Sequence, residues 1–300
     1  MKHAYLILAH NEPRILSVLV SLLDNKCNDI FIHIDAKSDI SFFSVKTDYS
    51  KCIFTRRIDV RWGDVSQIEA EFILMETARK YGQYDYYHIL SGTDLPIKNR
   101  DEIYSFFDEN AGKEFVEFWR DTKQGELYNK ALCYNFFTRQ LQSKILQYPV
   151  KVLRHILCPF QKILGIKRKT LFKLYKGANW CSITNSFLEY LLSKKNYILT
   201  RFKYTVCCDE IFLQSVLMSS PYQKNIYKFG NVRLVNWTGK NSPAFWRKDD
   251  LSFLLKSESL FARKFSSKDF ALIENVIARC KGGGMFIELK PKNNCKERVA

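Results

Sequence analysis

The chain has 300 residues, 46% hydrophobic and 15% aromatic, with 47 Lys and Arg against 31 Asp and Glu for a formal charge of +16. This size can bury the core of one large α/β domain, and the positive excess favours anionic partners: a nucleotide diphosphate, a phospholipid surface or nucleic acid. Nine cysteines without a C-x-x-C pair argue against a disulfide scaffold or a zinc framework, and no apolar run reaches the roughly 18 residues of a membrane span.

Residues 4–9 form an apolar run that predicts a buried strand, closed by His10-Asn-Glu-Pro13. Pro13 opens a helix with Ile15, Val18, Leu19 and Leu22 on one stripe. A second strand covers 29–35 and exits through Asp35-Ala-Lys37-Ser38; a third covers 51–55. After Trp62-Gly63-Asp64, residues 65–81 have helical periodicity. The aromatic run at 84–90 is a further strand, cut by Ser91-Gly92 and turned by Asp94 and Pro96 before a helix near Asn99. Repeated strand–helix units imply a largely parallel sheet, and ligands of such sheets sit at the carboxyl ends of the strands. Asp35 and Asp94 fall at such ends.

Residues 113–118 predict another strand, with Glu114 or Glu117 facing a cavity or solvent. The stretch 127–176 then carries eleven Lys and Arg and no Asp or Glu, interleaved with aromatic residues. It reads either as a basic amphipathic surface for anionic lipid or as an insertion whose aromatic face packs on the main domain. Pro149, Pro159 and Gly165 break it into a helical hairpin. Gly177-Ala-Asn-Trp180 returns to small and aromatic residues, and 185–193 reads as a helix. A buried helix is predicted over 210–217, with Asp209 as its cap and Glu210 in its first turn. A carboxylate at such a rigid helix start can serve as a general base. A strand at 232–237 and helices at 248–255 and 268–280 complete the pattern, followed by a basic tail.

The chain has no G-x-G-x-x-G, Walker lysine loop, H-E-x-x-H or G-x-S-x-G, and no Asp-x-Asp pair to hold a divalent ion on a diphosphate. A transferase built from it must neutralise its leaving group with side-chain cations. The runner-up class is a basic protein that binds nucleic acid or another polyanion without catalysis.

Seven segments in order resemble the core-2/I-branching glycosyltransferases (glycosyltransferase family 14), which include peptide O-xylosyltransferases. They are Phe31-Ile-His-Ile-Asp-Ala-Lys37, Trp62-Gly-Asp-Val-Ser66, Ser91-Gly-Thr-Asp-Leu-Pro-Ile-Lys98, Gly177-Ala-Asn-Trp-Cys-Ser-Ile-Thr184, Cys208-Asp-Glu-Ile-Phe-Leu213, Asn231-Val-Arg233 and Leu260-Phe-Ala-Arg-Lys-Phe265. The resemblance spans about residues 4 to 280, without the anchor, stem and paired cysteines of the animal enzymes, as in a compact bacterial member building surface polysaccharide.

It implies one GT-A-like domain, with the basic helical insertion at 127–176, and inverting transfer of a sugar from a UDP-sugar, GlcNAc or xylose being the usual donors. No cofactor or metal is implied. By position, Glu210 matches the catalytic base, and Arg233 and Lys264 the cations on the diphosphate. Ala9, His10, Asp35, Lys37 and Trp62 match the nucleotide side. Glu117, Asp94 and Trp180 fall on the acceptor side, for a carbohydrate or glycolipid. The expected setting is cytoplasmic, with peripheral contact to an anionic membrane through 127–176 and no nucleic acid.

Overall fold

The computed structural model describes residues 1–120, 124–238 and 242–282. In chain order the first elements are β1 (His3–Ala9), α1 (Pro13–Leu23), β2 (Asn28–Ile34), β3 (Lys51–Phe54), α2 (Ser66–Tyr81), β4 (Tyr86–Ser91), β5 (Leu95–Pro96) and α3 (Arg100–Glu109). Next come the short α4 (Gln124–Leu127), α5 (Gln147–Ile163), β6 (Cys181–Thr184), α6 (Asn185–Ser193) and α7 (Lys195–Phe202). The last are α8 (Phe212–Met218), β7 (Arg233–Val235), α9 (Leu251–Lys256), β8 (Phe261–Arg263) and α10 (Phe270–Cys280).

The central sheet has the order β3-β2-β1-β4-β6. Its first four strands are parallel, and β6 runs antiparallel to β4. With β1 in the middle, both of its faces are covered, which is why it reads as a continuous apolar run. Tyr5, Ile7 and Ala9 point into one apolar cluster with α1, Phe107 and Phe261; Ala4 and Leu6 point into the other with Phe31, Phe72 and Phe212. That alternation is the two-residue period of a strand acting on a sheet buried on both sides. A small second sheet, β5-β8-β7, lies along the chain from the end of β4. The fold is α/β with a mostly parallel central sheet, as the strand–helix alternation implies.

Three local expectations differ. Residues 113–118 form no regular strand; only single bridges join Glu114 to Ile226 and Phe115 to Ser182. Glu114 faces neither a cavity nor solvent. Its buried carboxylate accepts the Thr184 amide at 2.9 Å and the Thr184 hydroxyl at 2.6 Å, bracing the start of α6. The helix expected from Glu210 is also split. Cys207 adopts a left-handed conformation (φ 51°), so Cys208–Glu210 form a 3₁₀ turn and α8 begins only at Phe212.

The basic stretch is not a helical hairpin. It contains one long helix, α5, reached through a π turn (Tyr128–Leu132) and a 3₁₀ turn (Thr138–Gln142), and it returns without another helix. Pro149 falls in the first turn of α5, where an amide has no intrahelical partner to lose, and Pro159 lies one turn from the end.

Candidate active site

Three loops leave the carboxyl ends of β1, β2 and β4 side by side. Ala9 ends β1 and is buried; its carbonyl accepts the Asp35 amide at 2.9 Å. A Cβ added to Gly92 would lie 2.6 Å from the Ala9 methyl, so the Ser91-Gly92 exit of β4 owes its closeness to a missing side chain. Asp35 and Lys37 clasp each other. The Lys37 ammonium lies 2.9 and 2.7 Å from the two carboxylate oxygens, and the Lys37 amide donates to one of them. The same ammonium reaches Asp59 at 2.8 Å and the Val60 carbonyl, which ties down the irregular segment leading to Trp62.

Trp62 is exposed, and beside it the Gly63 carbonyl accepts the Cys207 amide at 3.1 Å. This contact joins the segment held by Asp35 and Lys37 to the turn carrying Glu210. Within that turn Asp209 caps no helix. It is half-buried and takes a hydrogen bond from Gln67 Nε2 at 2.9 Å; desolvation, then the neighbouring Glu210 charge, push its pKa up to about 7.

Glu210 is different. Its side chain is 29% exposed, and its Oε2 lies 3.5 Å from the Lys176 ammonium and 3.8 Å from that of Lys130. Both lysines make closer pairs with Glu126, at 2.6 and 2.9 Å. Lys176 also sits 4.5 Å over the Trp119 ring. Burial opposes the Lys130 charge, but Cys207, Glu126 and Glu210 together hold its pKa above the ordinary value.

From this turn a short bridge runs to the remaining residues. The Gly177 amide donates to the Glu210 carbonyl at 2.9 Å, and a Cβ at Gly177 would strike the Glu117 carbonyl. Three residues on, a span of at most about 11 Å, the Trp180 ring stacks under the Arg263 guanidinium at 4.0 Å. Arg263 pairs with buried Asp94 at 3.5 Å. Burial raises the Asp94 pKa, against the charges of Arg263, Arg233 and Lys264 and an amide bond from Ser91. Glu117 abuts Gly230, with its pKa raised by burial against an Asn231 amide and Arg120; the Asn231 side chain donates to the Trp180 carbonyl at 2.9 Å.

Lys264 follows Arg263. Its ammonium has no hydrogen bond or ion pair among the described residues, and its pKa is lowered by burial and by Arg263, against Asp94. Its charge reaches His10, whose imidazole is held below its ordinary pKa by its surroundings and then by Lys264 and Lys37, against Asp35. Contacts thus run from Asp35 through Lys37, Val60 and Gly63 to the Glu210 turn, and from its Gly177 partner along the chain to Trp180 and Arg263, which Lys264 follows.

Arg233 stands apart from its expected place. Its guanidinium is buried over Phe261 and donates to the carbonyls of Asn231 and Cys181 and to Ser182 Oγ, at 2.6, 2.8 and 2.8 Å. Those bonds lock β7 to β6, and Ser182 Oγ continues to His88 at 2.7 Å. A cation at the first residue of a strand between apolar neighbours points into the body of the fold. Arg263, Lys130, Lys176 and Glu126 are neighbours of these residues that the sequence did not single out. Arg263 was adjacent to Lys264 within the same motif, and Lys176 immediately precedes Gly177. The partnership of Glu126 with either lysine had no signal beyond its four-residue spacing to Lys130. Among the described residues no group of three or more His, Cys, Asp or Glu side chains is placed to hold a metal ion, and no cysteine is paired.

In this α/β fold, partly open acids and ammoniums gather beside the loops that leave the carboxyl ends of β1 and β2. The model of the Core-2/I-branching enzyme family matches residues 3–254, and the chain belongs to that family. It is 22% identical to Beta-1,3-galactosyl-O-glycosyl-glycoprotein beta-1,6-N-acetylglucosaminyltransferase 4 of Mus musculus, over 92% of this chain and 64% of the relative. It is 23% identical to Xylosyltransferase 2 of Rattus norvegicus, over 88% of this chain and 32% of the relative. The chain thus spans less than two thirds of the first relative and about a third of the second. Among solved structures, S. aureus TarS is similar at a TM-score of 0.38 and 12% identity (93% of this chain, 39% of that one). Mouse xyloside xylosyltransferase 1 in its apo form follows at 0.37 and 10% (89% and 98%). These two likenesses are too distant to carry an argument about this chain.

Proposed function

We propose that the chain is an inverting glycosyltransferase that moves a sugar from a UDP-sugar to the hydroxyl of a carbohydrate acceptor without a metal ion. Family membership supports the reaction class, and the names of the relatives favour UDP-GlcNAc or UDP-xylose as donor. The observation that carries the reading is the Glu210 carboxylate. It is partly open, sits on a turn fixed by Gly63 and Gly177, and is flanked by two ammoniums that stand beyond hydrogen-bonding distance.

In this reading Glu210 takes the proton of the acceptor hydroxyl while that oxygen bonds to the anomeric carbon. The bond from that carbon to the UDP oxygen breaks on the opposite face, and its electron pair leaves with the diphosphate. Charge builds on the phosphates as the bond breaks, so a fixed cation in a partly dry cleft lowers the barrier. Lys264 is the residue for this role, since its ammonium makes no ion pair or hydrogen bond among the described residues. Asp35, Lys37, His10, Ala9 and Trp62 form the nucleotide edge. Glu117 and Trp180 line the acceptor side, with Asp94 holding Arg263 under Trp180. Arg233 serves from the interior as the clamp between β6 and β7.

A panel of UDP-sugars incubated with the protein, read as released UDP, tests the proposal. Release from one or two donors, increased by acceptor, is expected; no release from any donor by folded protein overturns it.

A further inference from the structure

The helix α5 has two unlike faces. Inward, Val150 joins Leu141, Val206 and Cys207 in a small apolar cluster, while Gln161 bonds the backbone of Tyr134 and Arg154 bonds Asn135. Outward, Tyr148, Val152, Ile156, Phe160 and Ile163 follow one another at intervals of three or four residues, a single ridge along the helix. These five side chains are 55–82% exposed. Ile145 and Leu171, 83% and 80% exposed, add apolar surface before and after the helix. Scattered exposed apolar residues are ordinary, but a continuous ridge of them marks a surface that meets something apolar.

The surrounding charge decides what that is. Lys144, Lys151, Lys162, Lys167, Lys169 and Lys173 are all exposed, and the sequence from 127 to 176 has no acid. Lys151 and Lys162 are eleven residues, close to three helical turns, apart and so share one edge of the ridge. An apolar ridge bordered by lysines and free of carboxylates is complementary to a bilayer with negative headgroups: the ridge enters the acyl boundary while the ammoniums stay among the phosphates.

We propose that the outer face of α5 docks this protein onto a membrane surface that carries anionic lipid, with the helix lying in the plane of the interface. The position of the helix adds a consequence. Its inner face packs on Val206 and Cys207, three residues before Glu210. A docked bilayer would then lie about one helix diameter, roughly 10 Å, from that turn. The docking claim stands without the sugar-transfer reading; the consequence for an acceptor held in the membrane rests on it.

Vesicle flotation of the whole chain tests the proposal, with phosphatidylcholine vesicles compared to vesicles containing phosphatidylglycerol. The protein should float with the anionic vesicles and bind them at least 10-fold more tightly than the zwitterionic ones. Ile156→Glu/Phe160→Glu should abolish flotation, with the thermal midpoint unchanged because both side chains already face solvent. Lys151→Gln/Lys162→Gln should weaken it about 25-fold, from about fivefold per lysine. Three results would overturn the proposal: no flotation by the folded parent, flotation unaffected by either double variant, or a self-associated parent that becomes monomeric in Ile156→Glu/Phe160→Glu while neither floats. The last would give the ridge to a second copy of the chain. UDP release measured on the same variants separates the two readings, because docking lost with release retained leaves the transferase assignment intact.

Discussion

The Lys176 ammonium lies 2.6 Å from Glu126 and 3.5 Å from Glu210, so the lysine nearest the proposed base is held mainly by another acid. A direct 2.6 Å pair with Glu210 would occupy the oxygen that accepts a proton in the proposed reaction. Glu126 instead keeps both ammoniums close enough to orient that carboxylate and far enough to leave it available. Lys130 lies within the π turn at Tyr128–Leu132 and Glu126 two residues before it, so an irregularity in the backbone carries this pair.

Glu210→Gln should therefore lower transfer by about 10²- to 10⁴-fold, the usual contribution of a general base. UDP affinity should stay within about twofold, since no assigned diphosphate contact is touched. Kinetics paired with calorimetric titration of UDP checks both halves, and a large loss of UDP affinity would remove Glu210 from the role of base.

Lys264→Met should differ in its UDP affinity: weaker UDP binding together with a rate loss on the order of 100-fold. For the same reason turnover should survive saturating EDTA. A rate that vanishes with EDTA and returns with manganese would mean that the leaving group is held by an ion after all.

Arg263→Met should destabilise the protein by roughly 3–5 kcal/mol, because it leaves the Asp94 carboxylate buried without its cation. Adding Asp94→Asn should recover much of that loss. Urea denaturation of the two single variants and the double variant measures the coupling.

Glu114 gives the fold a pH dependence. Burial raises its pKa from 4.5 to about 7, against the hydrogen bonds from Thr184. A carboxyl raised in the folded state contributes stability that is fully present below about pH 4.5 and is lost as pH rises through about 7, by at most about 3 kcal/mol. Asp209, raised to about 7, adds in the same direction. The parent should thus lose stability between pH 5 and pH 8, and Glu114→Gln should flatten that slope; an equal slope in both proteins assigns it elsewhere.

Gly92→Ala should destabilise by roughly 1–3 kcal/mol through overpacking against Ala9. Ala9→Gly in the same chain should restore part of the loss by returning the volume of one methyl group, as chemical denaturation of the pair would report.

Much of the architecture was legible because its signals are local. The buried strands β1, β2 and β4 are apolar runs bounded by turn residues, and the helices expected from Pro13 onward and over 65–81 and 185–193 each carry their own periodicity. Glu210 and Lys264 stood out through motifs that are contiguous in sequence. Arg233 misled for a physical reason: a charge beside apolar strand residues looks the same whether it lines a cleft or, as here, spends its donors on buried carbonyls. Likewise the sequence showed that 127–176 is basic and broken by prolines, but not that both prolines fit within one helix.

The amino-acid order by itself determined the α/β alternation, the strand ends where polar groups collect, and the family. Only the tertiary structure decided which charges are spent on one another, since Glu126 and Lys176 are fifty residues apart and Asp94 and Arg263 farther still. It also decided which face of α5 is covered: hydrophobic periodicity marks a stripe, and only the neighbours packed around the helix determine whether that stripe turns inward or toward solvent.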